Sequence, residues 1–564
     1  MQLKWPPFLL PQAQWLEKQQ TSILSAAVII TVATGLSTLS GLLRQRLLMA
    51  TFLDGTAQAE ASFEALMVAF QLPDTLFQLV ILGALSAAFI PIFTAQKKVD
   101  QAKAFAMSSI MMNVLLLIFA IIAIVVAIFA EPLTMLRTGH QFSPEQITIV
   151  TNLTRIMLVA QFFFAISNFL TGMLQSYQRF IIPALSPVLY NIGIVVGVYL
   201  FADQLGIYAA GVGVIMGAFI HMIVQVPLLL KLGFRYQFSL NLRHSGIKDF
   251  FKLMPARMLA LSVNEVRKLS LGFFATSLGN FSFVIIQLAL TLMTAPIRFF
   301  GVPISQASLP FLSDESSEQD LNRFKNLVQQ SMNQIAFLAL PASVLLLILR
   351  VPIVRLIFGT AHFSWPNTLA TGRAVAIISI SITAQALSQL LIRSFYALKD
   401  TKTPLVVAIF DIVMYVAFCA LFVFVFQWNV LGIAVATSIT AIVEFLLLLL
   451  FLDRKVGVLF HNGFWLTQLK MLAATFLMAV FLYLPFRILD ELVFNTTLTV
   501  ELLALTVTTS TIGLLVYIYF AMLFEIKELH FLMNLVHNFG PWKKSLAKTE
   551  EPLVEASMEG DGEL

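Results

Sequence analysis

The residues of this 564-residue chain that could do chemistry lie inside apolar segments, at helical spacing. Thr34, Ser37, Ser40 and Arg44 advance by 3, 3 and 4, so they share one helix face. Glu64, Gln71, Asp74 and Gln78 form a second stripe, stepping by 7, 3 and 4. Asn264, Glu265, Arg267 and Lys268 cluster in a third segment, and Gln287, Thr291, Thr294 and Arg298 step by 4, 3 and 4 in a fourth. Hydroxyls, amides and forked guanidinium donors are groups that hold an anion, phosphate above all. They are not groups that break a bond. The seven histidines are scattered without metal-ligand spacing, and no G-x-x-x-x-G-K-[ST] occurs. No nucleophile–His–acid arrangement can be argued, so we expect no catalytic residue, no metal and no cofactor beyond an unidentified coupling cation.

Four elements must position these stripes, and composition says what they are. The chain is 59% hydrophobic and 12% charged with a mean hydropathy of +0.88, against roughly 45–50% and 25% in soluble domains. That describes an all-α polytopic membrane protein and excludes a soluble enzyme, a secreted disulfide scaffold and a nucleic-acid binder. The lone Cys419 rules out an internal disulfide. With about 20 apolar residues per crossing, fourteen spans fit. The stripes fall in spans one (22–52), two (61–95), seven (252–276) and eight (281–312). Lys and Arg concentrate in alternate loops, including Lys97, Lys98, Lys103, Lys231, Arg235, Arg323, Lys325, Arg454 and Lys455. By the positive-inside rule both termini are cytoplasmic. The formal net charge of +5 is therefore read as orientation.

An internal repeat organises the spans. Span two ends Ser86-Ala-Ala-Phe-Ile-Pro91 and span eight ends Ser305-Gln-Ala-Ser-Leu-Pro310. Span four runs into Leu174…Pro183 and span ten into Phe395…Pro404, each with nine residues from apolar residue to proline. The prolines are 92 apart in the first pair and 94 in the second. The expected organisation is a cytoplasmic segment (1–21), a six-helix half (22–230), a basic amphipathic linker (231–251), a second six-helix half (252–452), two additional helices (453–525) and a cytoplasmic tail (526–564) with an acidic, disordered end. Six spans per half make the repeats parallel. Such architectures hold substrate between the halves and move by rocking them. His244–Met258 reads as an interfacial stretch.

Charge supports a cavity at the centre. Spans one, two, seven and eight carry Arg44, Arg46, Arg267, Lys268 and Arg298 against Glu64, Asp74 and Glu265. Facing lipid, these eight would cost on the order of 20 kcal/mol, so they are hydrated or paired. The excess of two positive charges suits an anionic substrate. Arg44 and Arg298 have no evident neighbour in sequence and are the first choice for substrate contact, with Arg267, Lys268, Ser37, Ser40, Gln71 and Thr291 beside them. Glu64, Asp74 and Glu265 are assigned to gating or charge pairing. Blander readings stand next to these. Glu265 and Lys268 are three apart and can form a structural pair, Arg46 can snorkel to an interface, and Glu64 can simply mark the outer end of span two. Asp411 and Glu444, in spans eleven and twelve, either bind a coupling cation or pair with Arg393.

Arg393-Ser-Phe-Tyr-Ala-Leu-Lys-Asp-Thr-Lys-Thr-Pro404 resembles the R-x-F-Y-A-L-x-D-T-[RK]-T-P signature of the MurJ/MviN family, the lipid II flippases of bacterial peptidoglycan synthesis and cell-wall biogenesis. Val68-Ala-Phe-Gln-Leu-Pro73, Gly83, Phe89-Ile-Pro-Ile92, Phe180–Asn191 and Pro352–Phe358 agree, and the resemblance spans about 22–525. It implies the multidrug/oligosaccharidyl-lipid/polysaccharide exporter fold, fourteen helices, a cationic central cavity, alternating access and a lipid-tail groove by the last two helices. Ser37–Gln45 keeps the family's glycine (Gly41) and second arginine (Arg44), but Thr38 stands for the first arginine. Glu64 stands for an aspartate, while Phe77, Leu82 and Thr291 replace an arginine, a glutamate and an arginine.

The resemblance makes the expected function flipping of lipid II, a polyprenyl-pyrophosphate-linked precursor, across the bacterial inner membrane by a monomeric, non-enzymatic transporter. Its partners would be that glycolipid and membrane lipids, with no nucleic acid. Another polyprenyl-linked glycan is the nearest alternative. A multidrug or cation antiporter would prefer an acidic cavity, and a non-transporting scaffold would ignore loss of Arg44.

Overall fold

A computed structural model describes residues 23–241, 247–317, 321–457, 459 and 462–529. The expected N-terminal segment, the core of the linker at 242–246 and the acidic tail lie outside the described residues. Every regular element among the described residues is helical. The chain crosses from one end of the bundle, here the near end, through α1 (Ile23–Phe52). It returns from the far end through α2 (Ala57–Ala69), α3 (Gln71–Phe77), a π-turn at Gln78–Leu82 and α4 (Gly83–Val99). Then come α5 (Gln101–Ile128), the short far-end helix α6 (Ala130–Arg137), α7 (Pro144–Ser176), α8 (Ile181–Leu205), α9 (Tyr208–Ile223) and α10 (Val226–Lys231).

The order then recurs. It runs through α11 (Ile247–Thr276), α12 (Ser282–Pro296), a π-turn at Ile297–Gly301, α13 (Val302–Ser317), α14 (Leu321–Ile348) and the short α15 (Arg350–Phe358). It continues through α16 (Trp365–Ser379), α17 (Ile382–Ala397), α18 (Lys402–Ala420) with a π-turn at Leu421–Val425, and α19 (Asn429–Val456). Two further helices follow, α20 (Asn462–Leu492) and α21 (Thr499–Leu523).

Eleven of these crossings are long and apolar enough to span a membrane, and the pair α16–α17, bent by 46°, makes twelve. The thirty-residue helices α1 and α11 are not among them. Among the described residues the count thus stops at twelve of the expected fourteen, although the uncharged Ile23–Ser40 stretch of α1 is itself as apolar as a span. The reason for α11 is visible in its sequence, which carries Lys248, Asp249, Lys252, Arg257, Glu265, Arg267 and Lys268. The stretch read as interfacial is, from Ile247 on, the first turns of α11 rather than a separate element.

Local chemistry sets the helix starts. Ser143 and Gln146 form a capping box ahead of Pro144 at α7. Thr56, Asp100 and Ser364 cap α2, α5 and α16 with side-chain oxygens. Asp400, in the signature segment, accepts from the Lys402 and Thr403 amides and the Thr403 hydroxyl at the start of α18, and pairs with Lys455 of α19 at 2.5 Å. Partial burial alone would raise its carboxyl, but those bonds and Lys455 outweigh it and hold it well below the carboxylate range. Where α8 meets α9, Gly193 and Gly197 face Gly217 and Gly213. A Cβ on either α8 glycine would fall 2.5 Å from a glycine Cα of α9. This is the small-residue packing that membrane helices use when apolar burial gives no preference for one another.

The repeat is visible in three dimensions. Pro91 and Pro310 are 219 residues apart, and so are the π-turns that begin at Gln78 and Ile297. Lys97 donates to Ser176 O, and 219 and 221 residues on, Ser316 donates to Ala397 O. At the far end one apolar core runs through both halves, joining Leu48, Phe63, Val150 and Val214 to Phe274, Ile286, Val375 and Ile433. Toward the near end each half keeps its own core, around Phe93 and Phe169 in one and Phe324 and Leu390 in the other. The halves share that apolar core at the far end, and toward the near end α4 of the first packs along α11 of the second. α20 and α21 pack on α14 through Met478, Leu482, Tyr517 and Phe337.

Candidate functional site

The stripe on α1 is held by α8. Arg44 Nη1 donates to Asn191 Oδ1 at 3.1 Å, and Asn191 Nδ2 donates to Ser40 Oγ at 2.9 Å and Ser37 O at 3.3 Å. Gly41 leaves room for that carboxamide, since a Cβ there would sit 3.7 Å from Asn191 Nδ2. Arg44 therefore does have a neighbour, on an element the sequence reading left out.

The second half repeats the arrangement with charge added. Arg267 of α11 reaches Asp411 of α18 at 2.5 Å and Thr440 Oγ1 of α19 at 3.2 Å, with its guanidinium 4.7 Å from the Tyr415 ring centre. The partner of Asp411 is thus Arg267. Arg393 donates instead to Val302 O at 2.9 Å. Glu444 lies in the electrostatic field of Asp411 and Arg267.

Between the halves, α3 and α11 meet through polar groups. Thr75 Oγ1 donates to Glu265 Oε2 at 2.9 Å, and Lys268 Nζ pairs with Glu265 Oε1 at 2.6 Å. The Glu265 side chain is 6% exposed while that of Lys268 is 56% exposed, so the lysine presents charge to the interior space. Asp74 also opens into it, accepting from Gln161 Nε2 at 3.3 Å. Gln71 donates to Lys268 O at 3.2 Å.

Arg298 stands apart. It sits in the second π-turn, exposed, and makes no hydrogen bond or ion pair among the described residues. Its side chain closes a cavity of about 270 Å³ whose other walls come from the first half, including Thr34, Ser37, Thr38, Gln175 and Pro187. A π-turn inserts one residue into the helical register and is frequent at functional sites. Here it presents the guanidinium to the polar face of α1. Thr291 donates to Gln287 O at 2.8 Å and so uses its hydroxyl on its own helix.

The far-end seam is closed by side chains. Glu64 is 2% exposed and accepts from the Phe283 amide at 2.8 Å, in the first turn of α12, where unpaired N–H groups attract a carboxylate. Asn367 donates to Glu60 at 2.7 Å. Arg46 Nη1 donates to Leu356 O at 2.6 Å, so it bridges to the other half instead of snorkelling to an interface.

Of the residues singled out from sequence, the structure brings Ser37, Ser40 and Arg44 together, and likewise Asp74, Glu265 and Lys268 around Gln71. Arg267 joins Asp411 near Glu444, away from that group. Asn191, Gln161, Thr75, Asn367 and Arg137 were missed. Asn191 had a signal, because it ends the Phe180–Asn191 segment that agrees with the family. No group of three or more His, Cys, Asp or Glu side chains that could hold a metal occurs among the described residues.

Two packed halves that meet around a charged interior define an integral membrane transporter rather than an enzyme. The comparisons with known proteins are specific. The profile of the family described as Lipid II flippase MurJ matches residues 49–508, so the chain belongs to that family. It is 29% identical over 455 residues to the lipid II flippase MurJ of Burkholderia cenocepacia, covering 79% of this chain and 86% of the relative. It is 25% identical over 477 residues to the probable lipid II flippase MurJ of Buchnera aphidicola subsp. Acyrthosiphon pisum, covering 83% and 91%. Among solved structures, a lipid II flippase MurJ in an inward closed conformation matches with a TM-score of 0.72 at 22% identity, over 88% of this chain and 98% of that one. An inward-facing multidrug resistance MATE transporter matches with a TM-score of 0.62 at 15% identity, over 77% and 98%.

Proposed function

We propose that this protein flips lipid II from the inner to the outer leaflet of the bacterial inner membrane for peptidoglycan synthesis, with the near end cytoplasmic and fourteen helices crossing the bilayer. The observation that carries the reading is Arg298, an exposed guanidinium with unspent donors facing the hydroxyl-lined wall of α1 across a cavity between the halves. Membership of the family supplies the substrate, and the cationic interior fits its pyrophosphate. Lys268 and Arg44 add to Arg298, while Asp74 and Glu265 are the carboxylates that offset them. Three cations against two carboxylates leave one positive charge in excess, which disfavours a cation antiporter.

The headgroup enters from the near end when α4 and α11, which pack together there, part, and the polyprenyl chain stays in lipid beside α20 and α21. Pyrophosphate bridging Arg298 on one half and the α1 stripe on the other draws the near end together. The far end then yields at Glu64, Glu60 and Arg46. A membrane potential negative inside assists outward movement of the anion by about 2.3 kcal/mol per charge per 100 mV. Coupling to a cation at Asp411 and Glu444 would require that cation to displace Arg267 from Asp411. The protein works as a monomer.

Complementation tests the assignment. In a bacterium depleted of its own lipid II flippase, the parent chain should restore growth, and an equally expressed Arg298→Ala variant should not. Failure of the well-expressed parent would refute lipid II as the substrate. Rescue by both would refute the role of Arg298.

A further inference from the structure

Arg137, the last residue of α6, turns from the far-end loop into the protein. Its Nη1 donates to Val68 O at 3.3 Å and to Gln71 Oε1 at 3.2 Å, both long for a charged donor. Its Nε and Nη2 are buried and meet no acceptor among the described residues. A guanidinium has five N–H donors and cannot shed its charge. Three of the five are therefore unspent in a buried place, with no carboxylate beside them.

What separates this group from the interior is Gln71. Its Oε1 faces Arg137 while its Nε2 bridges the halves to Lys268 O at 3.2 Å. The amide is pressed on Gly272 of α11, where an added Cβ would come within 2.4 Å of Oε1. Val68 and Gln71 straddle the joint between α2 and α3, next to Pro73, where the helix is already broken. When α11 moves away from α2 and α3, Gln71 loses both Lys268 O and the surface that confines it. Arg137 is then uncovered toward the same space.

We propose that Arg137 is an exit-side anion site, which takes the pyrophosphate of the substrate once the far end opens and Gln71 swings aside. This rests on the transport reading above and adds a station to it. Arg298 lies toward the near end, Lys268 between the halves and Arg137 toward the far end, so the anion meets a cation at each depth. The forked donors left free are the ones a phosphate oxygen pair accepts from. No sequence signal marked this residue, because it lies in a loop helix and its target is 66 residues away.

Inorganic pyrophosphate is the probe. Full-length protein in nanodiscs, carrying Glu64→Gln to loosen the far-end seam, is treated with the arginine reagent phenylglyoxal with and without pyrophosphate. Modification of Arg137 is read by peptide mass. Arg137 should label several-fold faster than in the parent, and pyrophosphate should slow it several-fold without slowing the exposed Arg487. Free labelling without protection would overturn the proposal, as would an Arg137 that stays unlabelled in both Glu64→Gln and Gln71→Ala. In flipping assays Arg137→Gln should keep near-parental thermal stability and slow delivery to the far leaflet, with partial recovery in Arg137→Lys. Equal loss of stability in both variants would make the residue a structural brace and sink the idea. Pyrophosphate protection of Arg137 in Glu64→Gln, together with a parent that moves no lipid II, would refute the transport reading and leave the anion site standing.

Discussion

The seam at Glu64 allows a quantitative test. Its carboxyl is 2% exposed and takes the Phe283 amide at 2.8 Å, joining α2 of one half to the first turn of α12 in the other. A hydrogen bond to a charged group is worth about 1.5–3 kcal/mol net, against about 0.5–1.5 for a neutral pair. Glu64→Gln keeps an acceptor oxygen and should weaken closure by about 1 kcal/mol, roughly a fivefold shift toward the open far end. Glu64→Ala also leaves the Phe283 amide unpartnered and should cost about 2–4 kcal/mol, roughly a thirty- to several-hundredfold shift. The assay is double electron–electron resonance between spin labels on the exposed Ala57 and Ala361, which lie on opposite halves. The parent should give one short distance, Gln a minor longer population, and Ala a dominant one. An Ala variant with the parental distribution would refute the claim that this carboxyl holds the seam. A Gln variant identical to the parent would assign the hold to the acceptor oxygen alone.

Other consequences can be checked separately. Arg298→Ala breaks no hydrogen bond among the described residues, so its thermal unfolding should match the parent while pyrophosphate-lipid affinity falls roughly ten- to a hundredfold by native mass spectrometry. Asp411→Asn should destabilise by about 3–5 kcal/mol, because it strands Arg267 against buried surroundings. Adding Arg267→Met should recover a large part, as read by thermal unfolding in detergent. Asp400 has a depressed carboxyl pKa in the fold, so its contribution is present above the unfolded-state value near 4 and is lost as pH falls below it. Asp400→Asn should therefore be less stable than the parent at neutral pH, and the difference should shrink in acid. Gly197→Leu, placed where a Cβ already comes within 2.5 Å of Gly213, should force α8 from α9 and lower expression in the membrane.

The helical fold, the repeat and the polar stripes were legible because each is periodic. Spacing of 3 and 4 put Ser37, Ser40 and Arg44 on one face, and the structure finds them on one carboxamide. Proline spacing gave the repeat offset, which the π-turns later reproduce. The pairings were not legible, since they join elements that no local pattern relates. Arg267 meets Asp411 across 144 residues, where the sequence offered only Arg393 nearby. Arg46 looked like a helix-end arginine free to snorkel, yet the acceptor at Leu356 lies 310 residues on. The span count fell short for a related reason. A helix that lines a polar interior gives up the hydropathy by which a span is recognised, and α11 does so with Glu265, Arg267 and Lys268 in its middle.

Phe283 lies 219 residues after Glu64, which is the repeat offset itself. The contact therefore joins a position to its own counterpart, on the pseudo-axis. In an ancestor made of two identical copies, that position would have met itself. Two glutamates there would have repelled, and two phenylalanines would have left the helix-end amide without an acceptor. The present closure needs the two copies to differ here, one keeping the carboxylate and the other offering its backbone amide. The asymmetry at one residue pair thus gives the single chain a far-end closure that two identical copies could not make at that position.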